Sequence, residues 1–289
     1  MNTRRISAME LITIMGLITI VIVITPLILA AANNTTREKI IAFTGDSITD
    51  GIMSEWKGLL GSFPRFLISI SDEPNELLWG YKILNVAEGG ASFGKVPNLF
   101  SHTGYFPLIP EQIEKAIRLN PDILVVWGGT NDITAQLLDL QSKTLEENWN
   151  DVVEQIKKSS IKNVIFVTHY EPYPSDTFDQ LKNDPGVIKA QRMRRHFNEL
   201  IIKTCESNER FHVFRADQIV SPGGSAPRAI LSRDYVHLSF IGHALIAAEM
   251  LKLFEEIIPD LVYVEPWWLD DTVTTYALAK EIFSSRHTL

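Results

Sequence analysis

The chain has 289 residues, and the 257 or so left after an apolar N-terminus of 32 suffice for one large α/β domain. Hydrophobic residues make up 45% and charged residues 21%, and a net charge of −8 without a long basic block argues against nucleic acid as the main partner. Cys205 is the single cysteine, which excludes an intrachain disulfide and any metal cluster built on cysteine.

Leu11 to Ala32 carries no charge over 22 positions and follows Arg4 and Arg5. A bilayer core needs about 20 apolar residues as a helix, so residues 1–32 hold a hydrophobic helix long enough to span. Two readings stay open. A retained signal anchor fits the length better. A secretory signal peptide has a shorter apolar core, but Ala30-Ala31-Ala32 offers a small-residue cleavage site. Pro26 does not rule out a membrane helix. Under either reading the two arginines mark the cytoplasmic end, so the body of the chain is expected outside the cytoplasm, membrane-anchored or secreted; Arg37 and Lys39 pull weakly the other way. Residues 33–38 read as a short linker. They include the sequons Asn33-Asn34-Thr35 and Asn34-Thr35-Thr36, meaningful in a host that glycosylates.

From residue 39 the pattern alternates. β-rich runs occur at Ile40–Thr44, Lys82–Val86, Ile123–Trp127, Asn163–Thr168 and His212–Arg215, each apolar on both parities, as in parallel strands covered on both faces. Between them lie helical stretches. Leu145, Trp149, Val152, Val153 and Ile156 make one apolar stripe. Arg192–Lys203 is a second helix, and Ser239–Ile258 closes the series with Ser239 as N-cap. Tyr170–Asp184 and Ser221–Arg233 read as long loops. The expected fold is a three-layer α/β/α sandwich around a flavodoxin-like, five-stranded parallel sheet. Its domain spans residues 39–259, and 260–289 form a C-terminal extension in which Trp267 and Trp268 pack back on the domain or touch a membrane.

Ligands of an open α/β sheet bind beyond the carboxyl ends of the strands. Gly45-Asp46-Ser47 follows the first strand, Gly89-Gly90 the second, and Gly128-Gly129-Thr130-Asn131-Asp132 the third; Asp234-Tyr235-Val236-His237 lies before the last helix. A serine hydroxyl is a weak nucleophile until a base takes its proton. His237 is the candidate base for Ser47, because imidazole titrates near neutral pH. Asp234, three residues before it, is the candidate that fixes its tautomer and stabilises the imidazolium. Asp46 is read as a backbone-bonding residue. His169, near the rim after the fourth strand, either contacts substrate or serves the structure, the second being the reading taken. His102, His196, His212, His243 and His287 show no ligand spacing.

These segments resemble the blocks of the SGNH, or GDSL-type, hydrolase superfamily, in the same order. Gly45-Asp46-Ser47-Ile48-Thr49 is similar to the first block, Asn85-Val86-Ala87-Glu88-Gly89-Gly90 to the second, Gly129-Thr130-Asn131-Asp132 to the third and Asp234-x-x-His237 to the last. The resemblance covers about residues 39 to 259 and departs at Ala87, where many members carry glycine. It implies a catalytic triad of Ser47, His237 and Asp234. It also implies an oxyanion hole of the Ser47 and Gly90 backbone N–H groups and the Asn131 side-chain amide, with no metal and no cofactor. The expected activity is a serine ester hydrolase with an acyl-enzyme intermediate.

Gly89-Gly90-Ala91-Ser92-Phe93-Gly94-Lys95 nearly spells a phosphate-binding loop, but Val96 stands where a metal-binding Ser or Thr belongs. A non-catalytic binding module would not need the Ser, Asp and His set. An acyltransferase shares the acyl-enzyme and differs in the acceptor. Within the hydrolases, lysophospholipase, lipase and thioesterase activities are alternatives to carbohydrate deacetylation. The seven residues Asn33–Lys39 reach at most about 25 Å. An anchored domain would then point Ser47 away from its membrane. That favours a small-molecule or glycan ester with a short acyl group.

Overall fold

A computed structural model describes residues 39–51, 64, 81–98, 104–174, 177 and 180–258. The apolar segment Leu11–Ala32, the linker at 33–38 and the extension at 260–289 lie outside the described residues. Among the described residues no helix is long and apolar enough to cross a membrane.

Five parallel strands form one sheet: β1 (Lys39–Gly45), β2 (Tyr81–Asn85), β3 (Ile123–Trp127), β4 (Asn163–Val167) and β5 (Phe211–Phe214). Their order is β2-β1-β3-β4-β5, the doubly wound arrangement in which the direction of winding reverses between β1 and β3. The helices of the described region are α1 (Ser47–Asp50), α2 (Ile109–Leu119), α3 (Thr130–Leu137), α4 (Leu145–Lys157), α5 (Pro185–Glu206), α6 (Ala216–Val220) and α7 (Phe240–Ile257), with a 3₁₀ turn at Arg228–Ile230.

Strand parity divides the core. Ile41, Phe43, Ile123, Val125, Trp127, Ile165 and Val167 face a cluster completed by Ala244, Leu245, Ala248, Leu251 and Phe254 of α7. Ala42, Leu124, Val126, Val164 and Phe166 face the opposite cluster, built with Ile109 and Ile113 of α2, Trp149, Val152 and Ile156 of α4, and Phe197 and Ile201 of α5. The central strands β1, β3 and β4 are covered on both faces, which is why they are apolar at odd and even positions, whereas the edge strands β2 and β5 are largely half-buried.

The stripe from Leu145 to Ile156 forms α4, closed at its start by a reciprocal Thr144–Glu147 capping box. Ser239 caps α7 by accepting from the Gly242 N–H. The helix expected over Arg192–Lys203 is longer. Asp184 accepts from the Gly186 and Val187 N–H groups and Pro185 opens the helix, which therefore begins directly where the stretch read as a loop, Tyr170–Asp184, ends. Residues 91–98 run as a loop and α2 begins at Ile109, so among the described residues no helix directly follows the near phosphate-loop sequence.

Candidate active site

Gly45 ends β1 against β3, and a Cβ on it would lie 2.0 Å from the Trp127 carbonyl oxygen. Only a glycine lets the backbone turn there. Its N–H donates to Gln112 Oε1 of α2 at 2.9 Å. Asp46 follows, fully buried, and its Oδ1 accepts from the Ile48 N–H at 3.0 Å, capping α1. Its Oδ2 makes no hydrogen bond by distance and angle among the described residues. Burial pushes the Asp46 pKa up to about 6, with the Ile48 N–H and the His237 charge acting the other way.

Ser47 is thereby the first residue of α1, half-buried at the mouth of β1. Its Oγ lies 2.6 Å from His237 Nε2, although the two residues are 190 apart in sequence. The histidine arrives on a hairpin. Leu231 and Leu238 pair antiparallel. The Ser232 N–H donates to the His237 carbonyl at 2.8 Å, and the Ser239 N–H to Ile230 at 2.8 Å. Tyr235 takes the left-handed turn conformation at φ +59°. Tyr170, buried beneath, donates its hydroxyl to the Val236 carbonyl at 2.7 Å and fixes the hairpin from the β4 side.

Asp234 and His237 share the hairpin tip. Asp234 Oδ2 is 2.5 Å from His237 Nδ1. Asp234 Oδ1 accepts from the Ser232 hydroxyl at 2.5 Å and from the Val236 and His237 N–H groups at 3.0 Å each. Partial burial works to raise the Asp234 pKa, but these hydrogen bonds outweigh it and hold the carboxyl down at about 2. Asp234 therefore stays ionised at neutral pH. An ionised carboxylate only accepts, so Nδ1 carries the proton and Nε2 is free to accept from Ser47.

The other candidate residues converge from β2 and β3. Gly90 sits in a turn at φ +80°, and a Cβ there would meet Phe106 Cδ1 at 2.7 Å. The Ser47 and Gly90 N–H groups have no acceptor among the described residues. Asn131, in the first turn of α3, donates one Nδ2 hydrogen to the Ala91 carbonyl at 2.8 Å. That bond ties Asn131 to the residue beside Gly90 and leaves the second amide hydrogen without an acceptor among the described residues.

Three further residues hold these segments. Asp132 is buried. Its two oxygens accept from the Phe93 N–H at 2.8 Å, the Gly94 N–H at 2.9 Å and the Gln141 amide at 2.8 Å. Burial raises the Asp132 pKa against those bonds. His169 is buried with Nε2 2.8 Å from the Gly128 carbonyl and Nδ1 3.4 Å from the Thr130 hydroxyl. Burial lowers its pKa to about 4, so it is a neutral strut under the Gly128–Thr130 turn. Asn85 accepts from the Ala87 N–H and donates to the Thr49 carbonyl, joining the β2 turn to α1. Reading the sequence gave Asp132 no part. Its sign there was only a carboxylate next to Asn131, and the two N–H groups it holds lie 39 and 38 positions away.

The family profile of the GDSL-like Lipase/Acylhydrolase family matches residues 43–245. The chain belongs to that family. It is accordingly a carboxylic ester hydrolase. Among solved structures, an acetylxylan esterase from Geobacillus stearothermophilus is similar at 19% identity and a TM-score of 0.51, covering 74% of this chain and 93% of that one. A GDSL-like lipase from Bacteroides thetaiotaomicron is 17% identical at a TM-score of 0.49, covering 78% and 91%. A lipase from a goat rumen metagenome is 18% identical at a TM-score of 0.49, covering 74% and 96%. The likeness to the acetylxylan esterase shows the fold. No curated protein matches the chain.

Proposed function

We propose that this protein hydrolyses short-chain acyl esters, such as O-acetylated carbohydrate, through an acyl-enzyme on Ser47. The observation that carries the mechanism is the unbroken chain Ser47 Oγ, His237 Nε2, His237 Nδ1, Asp234 Oδ2, with contacts of 2.6 and 2.5 Å. In this reading Ser47 Oγ attacks the ester carbonyl carbon as His237 Nε2 takes its proton. The negative oxygen of the tetrahedral intermediate meets the Ser47 and Gly90 N–H groups and the spare Asn131 amide hydrogen. The C–O bond to the alcohol then breaks and His237 returns the proton to the leaving oxygen. Water, activated by the same imidazole, attacks the acyl-enzyme and releases the acid and free Ser47. Asp234 stays a carboxylate throughout and stabilises the imidazolium. No step calls for a metal or cofactor.

The charged residues around the cavity beside the Gly90 turn, Glu88, Lys95, Glu111 and Lys115, support a polar alcohol moiety over a lipid one. The pair Arg4-Arg5 ahead of the apolar run Leu11–Ala32 supports a site outside the cytoplasm. Initial rates on a p-nitrophenyl ester series test the acyl preference, with EDTA present and with product analysis in added alcohol. The expected optimum is acetate to butyrate, unaffected by chelation, with free acid as the main product. An optimum at eight carbons or more turns the reading towards lipid esters, and dominant transfer to the alcohol turns it towards an acyltransferase.

A further inference from the structure

The loop between β2 and α2 builds a feature that the hydrolytic machinery does not use. Phe106 N–H donates to the Val96 carbonyl at 3.0 Å, Asn98 N–H to Gly104 at 3.2 Å and Ser92 N–H to Pro107 at 3.1 Å. Pro97 and Tyr105 pair antiparallel. This bonded frame holds Tyr105 with 61% of its surface exposed, the most exposed large hydrophobic side chain among the described residues. The Lys95 ammonium is 5.8 Å from its ring centroid. An exposed ring beside a cavity offers a flat apolar surface to a ligand.

Tyr105 borders a cavity of about 400 Å³, within the range of small-molecule sites. Glu88 also lines it, and the Glu88 N–H is bonded to the Gly45 carbonyl at 3.2 Å, two residues before Ser47. Phe106, next to Tyr105, is the side chain that a Cβ on Gly90 would strike. The cavity therefore shares its walls with the proposed oxyanion turn. Its charges balance, Glu88 and Glu111 against Lys95 and Lys115, and Glu88 and Lys115 face each other at 3.5 Å. Gln112, which also lines the cavity, is 1% exposed and accepts the Gly45 N–H on its Oε1. A balanced set of exposed carboxylates and ammoniums offers donors and acceptors to hydroxyls and gives no net attraction to an anion or a cation. A lipid acyl chain would leave these charges desolvated and unpaired.

We infer that the cavity between Glu88 and Tyr105 is a subsite for a neutral sugar residue of the substrate, with the Tyr105 ring as the platform on which the sugar's C–H face stacks. A tyrosine suits this because its ring is apolar and electron-rich on the face while its hydroxyl stays wet. The inference rests on the glycan-ester reading above, and its test separates the two. Steady-state kinetics are measured on acetylated xylo- and manno-oligosaccharides of three to five sugars and on ethyl acetate, for wild type, Tyr105→Ala and Tyr105→Phe. The ratio of kcat/KM for the preferred oligosaccharide to that for ethyl acetate should fall about tenfold in Tyr105→Ala, chiefly through KM. It should stay within twofold of wild type in Tyr105→Phe. Calorimetric titration of Ser47→Ala protein with unacetylated oligosaccharide reads the subsite without turnover, and binding should be lost when Tyr105→Ala is added. An unchanged ratio together with unchanged binding overturns the subsite. Oligosaccharide binding without cleavage of either ester keeps the subsite and sinks the catalytic reading. Cleavage of ethyl acetate with no oligosaccharide bound or cleaved overturns the subsite and leaves the hydrolase.

Discussion

Asp132→Ala probes the support of the site. In the structure the Asp132 carboxylate is the acceptor for the Phe93 and Gly94 N–H groups and for the Gln141 amide. Removing it leaves two buried backbone donors unpaired. Each costs about 1–3 kcal/mol, so the folded state should lose roughly 2–6 kcal/mol. For a domain of this size that is a fall in Tm of roughly 5–20 °C. The chain has a second way to respond. The loop can shift to wet those donors, and Gly90 lies three residues before Phe93 while Asn131 is bonded to Ala91 between them. A displacement of about 1 Å at a catalytic contact costs on the order of 10²-fold in rate. Asp132→Asn keeps one oxygen and turns an amide donor towards one of the N–H groups, so it should fall between wild type and Ala. The assays are thermal unfolding and steady-state kinetics on a short ester. The expected pattern is a kcat loss that exceeds any change in KM, graded from Asn to Ala. A Tm within about 2 °C of wild type and a kcat within twofold for Asp132→Ala would refute the reasoning.

Two further substitutions separate chemistry from scaffolding. Asn131→Ala should lower kcat by roughly 10²–10³, the usual size of one oxyanion donor; a change under threefold removes that residue from the site. For Asp46 the folded pKa of about 6 stands above the ordinary 3.8. The folded state thus binds the proton more tightly, and the stabilisation is complete below about pH 4 and is lost as pH rises through about 6. The shift of about two pK units corresponds to about 3 kcal/mol. Asp46→Asn keeps a capping oxygen and drops the titration, so relative to wild type it should gain up to about 3 kcal/mol between pH 4 and pH 7.5. Urea unfolding at the two values measures this, and a difference that does not vary with pH contradicts the assignment.

Much of the molecule was legible in the sequence because its signals are local. The central strands show as short runs apolar on both parities, since both their faces are covered, and the order of the blocks follows from the topology. Ser47, Asp234 and His237 stand out for the same reason: the serine ends a strand, and the two partners are three residues apart on one hairpin. What stayed hidden depends on contacts distant in sequence. The bond from Tyr170 to Val236 spans 66 positions, and nothing around either residue announces it. The Asp132 clamp spans 38 and 39 positions. The start of α5 was masked by Pro185 and Asp184, residues that serve a loop and a helix N-terminus equally well. Tyr105 gave no sign at all, because exposure is a property of the folded surface.

The account turns on a Ser47 hydroxyl made nucleophilic by His237. The most direct measurement is labelling of the purified protein with a fluorophosphonate, with the adduct located by peptide mass spectrometry. The account predicts one adduct per chain, on the peptide containing Ser47, absent in Ser47→Ala and formed far more slowly in His237→Ala. An adduct elsewhere, or ester hydrolysis undiminished in Ser47→Ala, would contradict it.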